Sequence, residues 1–268
     1  MISPDRQQRI AALRDSIADI ERKPALAEAR VSMIDHGDMF PRLAGGLLQE
    51  VFTDERRNGG AMLGFALAQA RGLITSQRPA IIYLQLADEA QKLGLPYGPG
   101  LLSFGLDPDA LVLVRPASIA ELLWAAEEAI ACKAVGAVVA DIGGRSKLLD
   151  FTASRRLSMR AAGAGSSIFM LRYGEGREAS AAHLRWRLSP EPSSLRRYDH
   201  MAPGSMRLRV QLERGVLFRQ QSEWIIGWTE NGFTSFTPPR SNPARNIVKP
   251  SVPRDLFAQL GDGLPQTA

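Results

Sequence analysis

The amino-acid sequence predicts an α/β fold with a mostly parallel sheet and helices on both of its faces. Between residues 45 and 173, short apolar runs alternate with helical segments. Strands that are buried on both faces are apolar throughout, and a strand–helix–strand order joins parallel neighbours. After residue 174 three candidate strands follow, the first two of which alternate apolar with basic residues, and turn-rich segments separate them. We therefore expect an antiparallel C-terminal extension of the same sheet.

An amphipathic helix is predicted before this core, over residues 3–23. Ser3 suits the N-cap, Pro4 suits the first helical position, and Pro24 ends the segment. Apolar residues three and four apart form one stripe, which consists of Ile10, Leu13, Ile17 and Ile20. The stripe indicates burial, and the alternatives are packing on the chain's own core, binding of a partner protein and self-association.

The strands are predicted from the hydrophobic pattern. The five core strands are short apolar runs, placed at Leu47–Phe52, Ala80–Leu86, Ala110–Val114, Ala137–Ile142 and Ser167–Leu171. The three later strands are placed at His183–Leu188, Met206–Leu212 and Glu223–Trp228. The chain therefore divides into an N-terminal helix at 1–29, a core with basic C-terminal strands at 30–237 and a proline-rich irregular tail at 238–268.

Two further helices belong to the core. Ser118 and Glu121 have the spacing of a capping box that starts the first, and Gly136 is expected to close that segment. The second is expected from Arg145 to Gly163, with a basic face that ordinary solvation would also explain. Its cationic residues are Arg145, Lys147, Arg155, Arg156 and Arg160.

The composition is that of an ordinary globular protein, with 268 residues, 45% of them hydrophobic and 23% charged. The net charge of +5 is compatible with nucleic acid or acidic proteins as partners, without requiring either. One cysteine and three scattered histidines argue against a disulfide framework and a zinc site, so no metal and no cofactor are expected. Residues 1–6 lack a secretion signal, and no apolar run approaches the ~18 residues of a membrane span. We expect a cytoplasmic protein without membrane contact.

The stretch from Gly46 to Gln69 has the layout of a phosphate-binding loop, with an apolar strand, a short turn and a helix that begins near Gly59. In such loops the backbone N–H groups of the turn and of the helix N-terminus converge on an anion. The motif itself requires Gly-x-x-x-x-Gly-Lys-Ser/Thr. The chain instead holds, at the four defining positions, Thr53, Asn58, Gly59 and Gly60.

These replacements remove the chemistry of the loop. Without the lysine no point charge reaches the β- and γ-phosphates, and without the hydroxyl no side chain binds Mg²⁺. No lysine lies between residues 24 and 91 to take over the role. The alternatives are a strand–turn–helix that binds no nucleotide and a weak anion site formed by Arg56, Arg57 and the glycines.

Three segments resemble the core of RecA, the bacterial recombinase, namely Gly45–Phe52, Met62–Gln69 and Val138–Asp141. The similarity extends over roughly residues 30–230 and depends on the order and spacing of the segments. It implies a RecA-like fold, in which Asp141 stands where RecA-type proteins carry the Walker B aspartate for Mg²⁺.

The same resemblance implies that the other catalytic side chains are missing. Ala87 takes the position of the catalytic glutamate, which Asp88 or Glu89 could fill only after a shift of register. The strand that ends in Met170-Leu-Arg172 offers no glutamine to sense the γ-phosphate. Phosphoryl transfer depends on such placed charges, so we expect that the chain is not an enzyme.

A RecA-like core with a degenerate loop, an added N-terminal helix and a basic C-terminal half is similar to ImuA. This family belongs to the bacterial mutasome, an SOS-induced assembly for translesion DNA synthesis. The segment Ser180–Leu188, with Arg-Trp-Arg before a Pro/Ser-rich turn, adds to the similarity. The resemblance implies an adaptor that binds ImuB, a polymerase-like protein without catalytic activity. It also implies that the two proteins together support an error-prone polymerase of the replicative type. Contact with RecA is also implied.

The basic C-terminal strands suggest an anion-binding surface. Arg185 and Arg187 flank Trp186, so on a strand both arginines share one face and are expected to point outward. Their expected neighbours are Arg207 and Arg209. Adjacent like charges repel, so such a ladder needs an anionic partner, such as DNA, or carboxylates of the chain itself. Two functions therefore stand beside the adaptor, a nucleic-acid-binding module and a nucleotide-dependent ATPase.

Overall fold

The structure is a computed structural model, and it describes residues 40–174, 177–194, 196, 198–199, 202–215, 217, 222–229 and 232–236. All of them belong to one compact unit. The predicted N-terminal helix, with the stripe Ile10, Leu13, Ile17 and Ile20, lies outside the described residues. The proline-rich tail at 238–268 lies outside them as well, so both stay predictions.

The described residues contain nine strands and five helices. The strands are β1 Leu48–Thr53, β2 Ala80–Gln85, β3 Leu111–Val114, β4 Val135–Gly143, β5 Ser167–Tyr173, β6 Leu184–Glu191, β7 Arg207–Arg214, β8 Glu223–Thr229 and β9 Gly232–Phe236. The helices are α1 Gly59–Arg71, α2 Ala87–Leu93, α3 Gly98–Ser103, α4 Ile119–Ala131 and α5 Phe151–Ala164. Every predicted strand is present. The pattern does not predict β9, whose five residues are too few for a clear alternation.

The strands form one sheet in the order β3-β2-β4-β5-β1-β6-β7-β8-β9. All neighbours from β3 to β6 run parallel. From β6 to β9 each neighbour is antiparallel to the last. The predicted α/β fold with an antiparallel C-terminal extension is therefore confirmed, and the arrangement is consistent with a RecA-like fold.

Helices cover both faces of the parallel part of the sheet. On one face α1 contributes Phe65 to a buried apolar cluster that includes Trp186 of β6, with ring centroids 6.1 Å apart. On the other face Leu122 of α4 and Leu157 of α5 pack on a second buried cluster around Val138 of β4. These two layers hold the carboxyl ends of the central strands at one edge, where the loop after β1 lies.

The ends of two helices differ in part from the prediction. Ser118 caps α4 as expected, because its hydroxyl accepts a 3.2 Å hydrogen bond from the N–H of Glu121. Gly136 does not close α4, which ends at Ala131, but lies inside β4. A Cβ at position 136 would lie 2.7 Å from the carbonyl oxygen of Leu73, so a close backbone approach explains this glycine.

The basic helix begins later than expected. Arg145 and Lys147 precede α5, because Asp150 is its N-cap and accepts a 2.7 Å hydrogen bond from the N–H of Ala153. Gly165 ends the helix in the left-handed conformation, with φ of 69°. The basic face of α5 therefore starts only at Arg155.

Candidate functional site

The degenerate loop lies at the carboxyl end of β1, in the crevice where parallel α/β sheets bind ligands. Arg56–Asn58 forms a short 3₁₀ turn, and α1 begins at Gly59 as predicted. The amide of Asn58 donates a 3.3 Å hydrogen bond to the hydroxyl of Thr53, a buried residue at the end of β1. Two of the motif positions thus bind each other across the turn.

Asp141 is buried beside this loop, and two tyrosines donate hydrogen bonds to its carboxylate. Tyr83 of β2 donates a 3.2 Å hydrogen bond to Oδ2, and Tyr173 of β5 donates one of 3.4 Å to the same oxygen. Burial raises the pKa of Asp141, although the hydrogen bonds from Tyr83 and Tyr173 and the charge of Arg56 act in the opposite direction. Burial, and next the charge of Asp141, raise the pKa values of both phenols.

Tyr173 also lies against the position where a phosphate-binding loop carries its lysine. A Cβ placed on Gly59 would lie 2.8 Å from the hydroxyl oxygen of Tyr173, whereas a Cβ on Gly60 would meet nothing within 4 Å. The tyrosine ring therefore occupies the space that a side chain at position 59 would need. This arrangement supplies no cation that could neutralise a β- or γ-phosphate.

Arg56, the arginine that offered an anion site in the loop, contacts a carboxylate of the chain. Its guanidinium contacts Glu89 in the first turn of α2 and lies 5.9 Å from the ring centroid of Tyr173. Glu89 also contacts Lys92 at 3.3 Å. Arg57 forms an exposed ion pair with Glu55. Both arginines of the loop thus have a carboxylate partner. The Arg56–Glu89 pair could not be predicted from the sequence pattern, because β2 separates α2 from the loop along the chain.

Gln85 is a second buried polar residue near Asp141 that the sequence pattern did not single out. It ends β2, is paired in register with Asp141 of β4, and is buried. Its Oε1 has no hydrogen-bond partner among the described residues. The sequence signal that could have identified Gln85 is its position, because a polar residue at the carboxyl end of an apolar parallel strand lies where such sheets bind ligands.

Arg172 lies where the resemblance placed the missing γ-phosphate sensor, but its side chain belongs to a different cluster. It is buried, with its guanidinium 2.5 Å from Glu178 and 3.6 Å from Glu50. Of the two residues that end β5, Arg172 and Tyr173, only Tyr173 forms a hydrogen bond with Asp141.

The expected outward orientation of Arg185 is wrong. Its side chain is 11% exposed, and Nε and Nη2 donate hydrogen bonds of 2.9 and 2.7 Å to Oε2 of Glu50. The cause is the register of the sheet, because Glu50 of β1 lies directly opposite Arg185 of β6. The other expected face is confirmed, since Leu184, Trp186 and Leu188 are all buried in the core.

The other three arginines do not form a ladder either. Arg187 is opposite Gln211 and contacts Asp54, and its Nε lies 3.1 Å from the carboxylate. Arg209 is opposite Ser189 and contacts two carboxylates, those of Glu191 and Glu223. Arg207 lies over the ring of Phe236, 4.7 Å from its centroid. Carboxylates of the chain thus neutralise Arg185, Arg187 and Arg209. Of the two predicted alternatives, an anionic partner and carboxylates of the chain itself, the structure shows the second for these three arginines.

No protein-family model matches the chain, and no curated protein matches it. Within the described residues, no group of three or more His, Cys, Asp or Glu side chains could hold a metal ion. In the same part of the chain, no helix is long and apolar enough to cross a membrane.

Proposed function

We propose that the protein is a non-catalytic RecA-like adaptor in SOS-induced, error-prone translesion DNA synthesis, similar in role to ImuA. Its partners would be an ImuB-like polymerase homologue and an error-prone polymerase of the replicative type, with RecA as a further partner. The resemblance of the sequence to ImuA suggests these partners, and the closed nucleotide crevice supports the non-catalytic role.

The observation that carries the proposal is the position of Tyr173. Its hydroxyl lies against Gly59 and donates to Asp141, so one side chain blocks the lysine position and occupies the magnesium-binding carboxylate expected from RecA-type proteins. Phosphoryl transfer relies on placed cations and a positioned water, whereas the cation and the glutamate that the described residues bring to this crevice, Arg56 and Glu89, are paired with each other. A fold that keeps the RecA-like frame without this chemistry is suited to binding other proteins.

The adaptor role is tested by co-purification. The tagged full-length protein is incubated with the ImuB-like protein, the error-prone polymerase or RecA, with and without ATP. We expect retention of the ImuB-like protein that does not depend on the nucleotide. A parallel protein lacking residues 1–25 tests whether the predicted N-terminal helix makes the contact. The absence of retention for all three partners would refute the proposal.

A nucleic-acid-binding module is the second function that the basic C-terminal half suggested. Arg187 and Arg209 are neutralised by carboxylates, so few cations of this patch remain for phosphates. We therefore expect that the variant Arg187→Ala/Arg207→Ala/Arg209→Ala binds single-stranded DNA as weakly as the wild type. A wild-type affinity that falls steeply with salt and is lost in this variant would instead establish the patch as a DNA site.

A further inference from the structure

The outward side of α5 presents large apolar residues to solvent. Phe151 and Met159 are 47% and 65% exposed, and Arg155 lies midway between them on the same side of the helix. Leu148, just before the helix, is 56% exposed. The opposite side of α5 is already packed on the sheet through Leu157 and its buried neighbours. The exposed stripe is therefore additional to the face that holds the helix in the fold.

The neighbouring helix α4 carries a separate exposed aromatic residue. Trp124 is 66% exposed, and exposed Glu121 and Glu128 lie beside it on the same side of α4. Glu127 of α4 contacts Arg156 and Arg160 of α5 at 2.5 and 3.4 Å, so charged residues of α5, not its apolar stripe, meet this helix. Single exposed apolar residues need no explanation, but several on one surface mark an interaction site. Phenylalanine, methionine and arginine are also enriched at protein interfaces.

The charge beside the α5 stripe is positive. Among the described residues, neither Lys147 nor Arg155 has an ion pair, and Arg156 and Arg160 share the single carboxylate of Glu127. The nearest acidic group of α5, Asp150, is engaged as the N-cap. A ligand that covers the apolar stripe would therefore meet unpaired cations at its border.

We propose that this surface, defined by Leu148, Phe151, Arg155 and Met159 and called the α5 face, binds an acidic amphipathic helix of a partner protein. The partner's apolar residues would cover the stripe, and its acidic flanks would meet Arg155 and Lys147. The inference deepens the proposed function, because it assigns a partner surface to the adaptor.

Other occupants fit these features less well. The predicted N-terminal helix of the chain carries nearly equal numbers of acidic and basic residues within 3–23, so it lacks the complementary charge. Phosphate contacts supply most of the affinity for nucleic acid, and a surface of that kind would have cations, not Leu148 and Met159, at its centre. The apolar centre with a cationic border favours a helix that is apolar on one face and acidic beside it.

Model peptides test this assignment. Two fluorescein-labelled peptides of about 18 residues, or five helical turns, carry the same leucine stripe with either glutamate or lysine at the remaining positions. Fluorescence anisotropy with the full-length protein should detect binding of the Leu/Glu peptide and none of the Leu/Lys peptide. Phe151→Glu/Met159→Glu should weaken the Leu/Glu affinity at least tenfold. The matched control is Leu102→Glu, because Leu102 is 59% exposed on α3, outside the α5 face, and should leave the affinity unchanged.

Three results would overturn the proposal. The first is no binding of the Leu/Glu peptide, and the second is equal affinity for the wild type and the double variant. The third is preferential binding of single-stranded DNA or anionic vesicles through the same two residues. All variants change exposed positions, and circular dichroism checks that each is folded. The assay contains no polymerase-like protein, so failure of the adaptor function leaves the peptide result readable.

Discussion

Replacing Glu50 by glutamine is expected to destabilise the fold, because it removes the only carboxylate that Arg185 contacts among the described residues. Glu50 is 1% exposed and accepts two hydrogen bonds from Arg185 and one of 2.8 Å from the hydroxyl of Ser180. Arg172 lies 3.6 Å away but keeps its closer partner Glu178. The substitution therefore leaves one buried guanidinium without a counter-charge.

The magnitude follows from this burial. Removing one partner of a buried ion pair costs about 3–5 kcal/mol, since the remaining charge is desolvated and uncompensated. The glutamine oxygen can still accept one hydrogen bond, so we expect a loss near the lower end, about 3 kcal/mol. Glu55→Gln is the matched control, because Glu55 and Arg57 form a pair with side chains 53% and 80% exposed. Its expected cost is about 0–1 kcal/mol.

Urea unfolding followed by tryptophan fluorescence measures both variants, since Trp186 is fully buried beside Arg185. A lower midpoint with an unchanged slope would report the loss of stability directly. The double variant Glu50→Leu/Arg185→Leu should recover part of the loss, because it removes both charges together. Equal stabilities of Glu50→Gln and Glu55→Gln would refute the importance of the buried pair.

Two further predictions concern the closed crevice. Gly60→Ala should raise the free energy of unfolding by up to about 1 kcal/mol, because alanine is the better helix former and its Cβ would meet nothing within 4 Å. Gly59→Ala should give no gain, because its Cβ would lie 2.8 Å from the hydroxyl oxygen of Tyr173. Thermal unfolding compares the two, and equal gains would contradict the close contact. Asp141→Asn should be more stable than the wild type at pH 7, because burial raises the pKa of Asp141 and disfavours its charged form. A raised pKa stabilises the fold only while the carboxyl is protonated, so the advantage should shrink as the pH falls through the raised pKa towards 3.8. Urea unfolding across this pH range measures it, and a less stable Asp141→Asn at pH 7 would contradict the reasoning.

The sequence predicts the sheet well because buried parallel strands consist of consecutive apolar residues. It also predicts the start of α4, where Ser118 and Glu121 act within one turn. Interactions between distant residues are a different matter. Glu50 lies in an otherwise strand-like run, and its partner Arg185 is 135 residues away, so only the pairing of β1 with β6 brings them together.

The candidate site divides in the same way. The loss of the lysine and of the hydroxyl is visible in the sequence at Gly59 and Gly60. The closure by Tyr173 is not, because it depends on β5 lying next to β1 and ending at the same level. The alternation on β6 correctly placed Arg185 on the face opposite to Trp186. It could not reveal that this face is buried at Arg185, because the burial depends on Glu50 of the neighbouring strand β1.

The proposed loss of nucleotide chemistry is tested most directly by ATP turnover of the purified full-length protein. Wild type and Asp141→Ala are assayed side by side with Mg²⁺, alone and with single-stranded DNA. Both are expected to show the same background rate, because Asp141 is engaged by Tyr83 and Tyr173, glycine stands at the lysine position 59, and Glu89 is paired with Arg56. Turnover of the wild type above background that disappears in Asp141→Ala would contradict the account.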